Sequence, residues 1–157
     1  CALPIFPETY LSNRIERLNL YRKISECRTP ETLSGIREEL TDRFGPPPAE
    51  VEHLLASMDL KMEAEKIRLS KVVFKNERLF LSMPSTEEDP WFFEHLFHPL
   101  LERLTLISQR YVLKESSSGK LRAIIQEIPS IEAARKVVVQ LNKTLKKGTP
   151  SESRSEA

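Results

Sequence analysis

The chain has 157 residues, of which 39% are hydrophobic and 30% are charged, and its formal net charge at pH 7 is +1. This balance excludes general disorder, and the small net charge does not require a nucleic acid or a membrane as partner. Two cysteines form no disulfide framework and fit a reducing cytoplasm, and the sequence shows neither a signal peptide nor a long apolar span. Because the chain starts at Cys1 without an initiator Met, we expect it to be a piece of a longer polypeptide.

The first half of the sequence predicts three helices. Helical spacing over residues 12–27 predicts a first helix with Ile15, Leu18, Tyr21 and Ile24 facing inward. A Thr29-Pro30 cap then starts a second helix, which Gly45 ends because a glycine can take the left-handed conformation. The inward residues of the second helix are Leu33, Ile36, Leu40 and Phe44. From Pro48 to Leu69 a third helix has apolar residues on two opposite sides, which predicts a central position.

The second half predicts a sheet and two further helices. The segments KVVFK and RLFLSM flank Asn76-Glu77, and RYVLKE and KLRAIIQEI flank SSSG, so two hairpins are expected. Between them DPWFFEHLFHPLLERL predicts a helix that Pro99 interrupts or kinks. A last helix starts after the Ser130 cap, with Ile131, Ala134, Val138, Leu141 and Leu145 inward and Lys136, Lys143 and Lys147 outward.

This order of elements predicts the α+β class, with a small, mainly antiparallel sheet packed against helices. We expect a single domain over residues 1–147 and a disordered tail over residues 148–157, whose sequence GTPSESRSEA is polar and terminal.

The outward side of the second helix is acidic. On a helical wheel Glu31, Gly35, Glu38 and Asp42 lie opposite the apolar stripe, with Glu39 at the edge. Gly35 has no side chain, so a partner could approach the helix closely there. The stiff acidic corner around ELTDRFGPPP therefore predicts a docking surface; a solvated helix face with an indifferent glycine is the alternative.

The segment over residues 10–69 resembles the C-terminal domain of the bacterial transcription-repair coupling factor (Mfd, TRCF), and beyond it only the order of strands and helices and the closing helix agree. That family joins an RL-x-x-Y helix to an E-L-x-D-R-F-G helix end and a helix started by proline. The residues that carry the resemblance are Tyr10, Arg17, Leu18, Tyr21, Glu39, Leu40, Asp42, Arg43, Phe44, Gly45, Pro48, Val51 and Leu54. We expect structural roles for Tyr21, Leu40, Phe44 and Gly45.

The resemblance implies a regulatory role without catalysis. The family's parent protein is a DNA translocase, powered by ATP and magnesium in a separate motor, that displaces stalled RNA polymerase and recruits UvrA for nucleotide excision repair. Its C-terminal domain docks on the N-terminal UvrB-like module and masks the UvrA-binding surface. By similarity Glu39 and Asp42 are expected to contact basic residues of that module. Glu38 and Gly35, which the helical wheel places on the outward side of the same helix, are expected to bind it with them, and no cofactor or membrane is expected for this domain.

Two other functions are weighed against docking. The basic end of the chain, including the C-terminal helix, could bind nucleic acid through phosphate contacts, although lysines on an amphipathic helix are usually its solvent-facing side. Its basic residues are Lys114, Lys120, Arg122, Arg135, Lys136, Lys143, Lys146 and Lys147. An enzyme or a metal site is less favoured, because His95 and His98 lack a third ligand with zinc-like spacing. SSSGKL also lacks the glycine spacing of a phosphate loop.

Overall fold

The computed structural model describes residue 7, residues 9–107 and residues 110–148, except for the side chains of residues 144 and 146–148. The helices in this part of the chain are α1 (Arg14–Ser25), α2 (Pro30–Phe44), α3 (Ala49–Glu65), α4 (Pro90–His95), α5 (Phe97–Ile107) and α6 (Ile131–Gly148). The strands are β1 (Lys71–Lys75), β2 (Arg78–Ser82), β3 (Tyr111–Glu115) and β4 (Leu121–Ile125). The predicted α+β class and the order of elements are thereby confirmed.

Packing divides the chain into two compact units, with unit 1 reaching Met62 and unit 2 starting at Glu63. The single domain over residues 1–147 stays a prediction. Of the predicted tail, Gly148 is the last residue of α6, and residues 149–157 lie outside the described residues, as does the side chain of Lys147.

Unit 1 has an apolar core contributed by all three of its helices. Leu20 and Ile24 enter it from α1 and Leu40 enters it from α2, each at most 5% exposed. The other buried members are Leu11, Cys27, Leu33, Ile36, Val51, Leu55, Met58 and Met62. Buried residues also occupy a second side of α3, at Leu60 and Ala64, as the sequence predicts for a helix with two apolar sides.

The predicted inward stripe of the first helix is wrong at its start. Ile15 is 71% exposed and Leu18 is 51% exposed. Repeated steps of three residues rotate by 60° each around a helix of 3.6 residues per turn, so Ile15 lies half a turn away from Ile24. The residues that face the core are instead Leu20 and Ile24, four residues apart.

The end of α2 is fixed by its backbone and by one side chain from the preceding loop. Gly45 has φ +85° and ψ −177°, a region that only glycine occupies without strain. The Tyr10 hydroxyl lies 2.9 Å from the Gly45 carbonyl oxygen and 3.2 Å from the Leu40 carbonyl oxygen, and its proton is donated to this pair. The Tyr10 ring meets the Phe44 ring edge-on at 5.9 Å. The last turn of α2 is therefore capped by a group more than thirty residues away.

Unit 2 contains one antiparallel sheet in the order β1-β2-β4-β3. Asn76 and Glu77 both have positive φ, 52° and 58°, which is the backbone of a tight hairpin turn even without a glycine. The opposite hairpin turns at Gly119, with φ +82°. The buried apolar residues of α6 are Ile131, Ala134, Val138, Leu141 and Leu145, as predicted, and Asn142 is buried with them. The Ser130 hydroxyl accepts the Ala133 N–H at 3.1 Å.

The helix predicted over DPWFFEHLFHPLLERL is two helices, α4 and α5, separated at Leu96. Pro99 causes the break, since a proline lacks the N–H and its ring clashes with the carbonyl four residues earlier, at His95. Pro99 itself then lies in the first turn of α5, where its missing N–H has no helical partner to lose.

Replacing Gly45 with alanine is expected to lower the free energy of unfolding by about 1–3 kcal/mol, because alanine is strained at this φ and ψ. A Cβ at Gly45 would meet no atom within 4 Å, so the loss would come from the backbone alone. Urea unfolding followed by circular dichroism measures it.

Gly35→Ala is the matched control, since the chemical change is the same but the outcome has the opposite sign. Gly35 lies inside α2, and a Cβ there also meets nothing within 4 Å. We expect a gain of about 0.5–1 kcal/mol, because alanine favours the helix. Equal effects at the two glycines would contradict the assigned conformation of Gly45.

Tyr10→Phe keeps the ring contact with Phe44 but removes the hydroxyl that caps α2. We expect a loss of about 0.5–1.5 kcal/mol in the free energy of unfolding, the usual net value of one hydrogen bond. Amide hydrogen exchange of Gly45 and of the last turn of α2 should accelerate in this variant. An unchanged exchange rate there would show that the hydroxyl does not hold the helix end.

Candidate docking surface

One side of α2 presents an acidic stripe to solvent. It consists of Glu31, Gly35, Glu38 and Asp42, all exposed and spaced by four, three and four residues. Eleven residues of α-helix span about 16 Å, so the three carboxylates follow one line along most of the helix. Within the described part of the chain none of the three makes an ion pair. The stripe therefore carries negative charge that unit 1 does not itself neutralise.

Gly35 leaves a notch in the middle of this stripe. A Cβ added there would meet no atom within 4 Å, so the space above the helix is open. Nothing in the local conformation requires glycine, because Gly35 has helical backbone without a positive φ. A partner could thus approach the backbone of α2 more closely here than at any neighbouring turn of the stripe.

Glu39 lies outside the acidic stripe and is held inside unit 1. Its carboxylate accepts a hydrogen bond from Lys23 Nζ at 2.8 Å and lies 3.5 Å from a guanidinium nitrogen of Arg43. The hydrogen bond from Lys23 is the main cause that lowers the pKa of the Glu39 carboxyl below its usual range. Sequence reasoning placed Glu39 at the edge of the acidic side, and the structure adds that its charge is already paired between α1 and α2.

Ion pairs flank the stripe toward both neighbouring helices. Arg43 pairs with Glu16 of α1 and places its guanidinium 4.7 Å from the centre of the Phe44 ring. On the other flank Arg37 donates three hydrogen bonds to the carboxylate of Glu52 in α3, the shortest at 2.8 Å. These pairs orient α2 against α1 and α3, and they leave the acidic stripe as its free side.

The sequence did not identify Lys23 or the Tyr10 hydroxyl as determinants of this surface. Lys23 and Glu39 are sixteen residues apart and lie on different helices, so no helical spacing rule connects them. Of the residues predicted to be structural, Leu40 is fully buried, and Tyr21 and Phe44 are half-buried against the core of unit 1. Gly45 is the C-cap described above.

The residues weighed for other chemistry lie apart from the stripe. His95 stacks on Trp91 with ring centres 4.6 Å apart, and His98 meets the edge of Phe97. No cluster of three or more His, Cys, Asp or Glu side chains among the described residues has a metal-binding arrangement. None of the described helices has the length and apolar character needed to cross a bilayer.

Comparison with known proteins gives the family. A profile described as the TRCF domain matches residues 3–91, more than half of the chain. The chain is 34% identical over 84 residues to the transcription-repair-coupling factor of Borreliella burgdorferi, covering 54% of this chain and 8% of that protein. It is 31% identical over 84 residues to the Bacillus subtilis factor, covering 52% of this chain and 7% of that protein.

A crystal structure of the C-terminal domain of transcription-repair coupling factor has the same fold. The TM-score is 0.65 at 18% identity, and the superposition covers 94% of this chain and 89% of the other. The predicted resemblance is therefore confirmed, and the chain belongs to the TRCF domain family, with the fold of a transcription-repair coupling factor C-terminal domain.

Proposed function

We propose that this chain is the autoinhibitory domain of a transcription-repair coupling factor, which docks on the N-terminal UvrB-like module and masks its UvrA-binding surface. The domain has no catalytic step of its own and needs no cofactor. The parent protein's motor would bind ATP and magnesium, translocate on DNA in the cytoplasm, displace stalled RNA polymerase and recruit UvrA for repair. The chain spans about 8% of the relatives it matches, so these activities belong to the rest of the parent protein.

The acidic stripe supports this proposal more than any other feature. Glu38 and Asp42 point to solvent without an ion pair in the described residues, whereas the charged groups on both flanks are paired within unit 1. Three carboxylates in a line complement a basic partner surface, and the notch at Gly35 lets an arginine or a backbone segment approach. On docking, the Glu39 carboxylate would break its ion pair with Lys23 and form one with a basic side chain of the N-terminal module.

The energies fit a reversible contact. Exposed ion pairs contribute about 0–1 kcal/mol each, so the carboxylates alone cannot hold two modules together at physiological salt. Tethering in one polypeptide supplies an effective concentration of the order of mM, which allows a weak contact to mask a site. A closed form populated to about 99% would lower the apparent affinity for UvrA about a hundredfold. Release would then need only a few kcal/mol from engagement with polymerase.

Reversing charge at Glu38 and Asp42 to lysine in the full-length parent is expected to open the closed form. UvrA retention in a pull-down should rise at least about tenfold at physiological salt, because both unpaired carboxylates are replaced by repelling charges. The same variant of this chain, mixed with the separately made N-terminal module, should lose most of the association measured by calorimetry. Unchanged UvrA binding together with unchanged association would contradict the proposal.

A Glu26→Lys and Glu50→Lys double variant controls for net charge. Both residues are exposed and lie off α2, and the change in charge is the same. We expect its UvrA retention to equal that of the unmodified protein. Glu39→Gln forms a third arm, since it weakens the pair with Lys23 without reversing charge, and it should change association less than Asp42→Lys.

Gly35→Gln tests the notch. Glutamine favours the helix and adds no charge, so unit 1 should become slightly more stable while its side chain fills the open space. We expect at least about tenfold weaker association with the N-terminal module, with Gly35→Ala intermediate. If Gly35→Gln associated as tightly as the unmodified chain, then close approach at this glycine would play no part in docking.

A further inference from the structure

One face of the sheet in unit 2 is open, basic and free of acidic residues. Side chains directly opposite each other in paired strands share a face, so the register assigns every residue to one of the two sides. Three rows cross the open face. The first row is Lys71, Ser82, Arg122 and Lys114, the second is Val73, Phe80, Ile124 and Val112, and the third is Lys75 and Arg78.

The two faces of the sheet differ sharply in exposure. On the opposite face Leu79, Leu81, Ala123 and Ile125 are at most 2% exposed, as expected for core residues, and Leu113 in the edge strand β3 is 39% exposed. On the open face all five cations are exposed and Val112 is 38% exposed, whereas Val73 and Phe80 are half-buried and Ile124, in the middle of the apolar row, is 6% exposed. We refer to the three rows together as the basic sheet face.

The cations of the basic sheet face have no acidic partner within the described residues. Nearby cations of unit 2 do: Lys120 pairs with Glu88 at 2.6 Å, and Arg68 pairs with Asp89 at 2.7 Å. By contrast Lys71, Lys75, Arg78, Lys114 and Arg122 form no ion pair there. Five like charges without neutralisation disfavour folding of the sheet, and they suit a polyanionic ligand.

The arrangement of the rows indicates the kind of polyanion. Residues two apart in a strand are about 6.7 Å apart, so the outer basic rows straddle the apolar row at about 13 Å separation. Phe80 lies half-buried in the apolar row, and the Arg122 guanidinium stacks over its ring at 5.2 Å. A single strand of nucleic acid, with flat bases in the middle and phosphates at the sides, matches this order, whereas a purely acidic protein segment would leave the aromatic and apolar row without a partner.

We propose that the basic sheet face binds a single strand of nucleic acid, with bases on the Phe80 row and phosphates on the flanking rows. Double-stranded nucleic acid is the poorer ligand, because its bases are stacked inside the duplex and cannot lie on the apolar row. This surface lies in unit 2 and the acidic stripe lies in unit 1, so either proposal can fail alone. It shares Lys114 and Arg122 with the basic end of the chain considered from the sequence, but it lies on the sheet and not on α6, where the exposed lysines Lys136 and Lys143 are.

The test measures anisotropy of fluorescein-labelled oligothymidylate and oligouridylate twelve-mers with this chain between 50 and 200 mM salt. Binding should weaken with salt with a log–log slope of about −3.5 if all five cations meet phosphates, since single strands give about 0.7 per contact. Tighter binding of one oligonucleotide tells whether DNA or RNA is the preferred source of the strand, and binding of either supports the inference. An unlabelled duplex of equal length should compete at least tenfold less well.

Three variants locate the ligand. Lys75→Glu with Arg78→Glu, and separately Lys114→Glu with Arg122→Glu, should each weaken binding at least about tenfold at 50 mM salt. Lys75 lies directly opposite Arg78, and Lys114 lies directly opposite Arg122. Each double variant therefore replaces two facing positive charges with two facing negative charges, so the repulsion between the paired strands stays similar. Lys136→Glu with Lys143→Glu is the matched control on α6 and should bind within twofold of the unmodified chain.

Phe80→Leu tests stacking while it keeps an apolar side chain in the row. We expect at least about fivefold weaker binding, with far-UV circular dichroism unchanged. The inference is overturned by absence of binding at 50 mM salt, by an equal loss in the α6 control, or by a duplex that competes as well as the single strand. Equal affinity for polyglutamate together with unchanged binding by Phe80→Leu would overturn it in favour of an acidic protein partner.

Discussion

The end of α2 is the constraint on which unit 1 depends. Gly45 adopts a backbone conformation that other residues avoid, and Tyr10 donates its hydroxyl proton to the Leu40 and Gly45 carbonyls at that point. Helix ends leave carbonyls without partners, so this contact stabilises the last turn and joins the entry of the chain to α2. Phe44 packs against the Tyr10 ring at the same place. This contact fixes where α2 ends, while burial of Leu33, Ile36 and Leu40 on the opposite side turns the acidic stripe toward solvent.

Pairing of charges decides which acids of α2 are available. Glu39 is adjacent to Glu38 in sequence, yet its charge is paired within unit 1 because Lys23 reaches it from α1 at the surface. Glu38 and Asp42 have no such partner in the described residues. Surface ion pairs of this kind add little to the free energy of unfolding, but they neutralise carboxylates that would otherwise be available to a partner. The proposed docking function therefore rests on the residues that unit 1 leaves unpaired.

A net charge of +1 conceals two surfaces of opposite sign. The acidic stripe lies on a helix of unit 1, and the basic sheet face lies on an open sheet of unit 2. Interaction with a ligand depends on local potential more than on net charge, so the near-neutral total excludes neither a basic partner for one surface nor a polyanion for the other. Both proposed interactions would weaken with salt, and each can be tested by variants that leave the other surface unchanged.

The sequence by itself determined the class, the order of the elements, the α2 boundaries at Pro30 and Gly45, and the shared face of Gly35, Glu38 and Asp42, because caps, turns and helical periodicity are local. Only the tertiary structure decided that Ile15 faces solvent, that Glu39 is paired, and that five distant cations share one face of a sheet. These facts depend on strand register and on which helices meet, and such contacts join residues that are far apart in sequence, so no spacing rule predicts them.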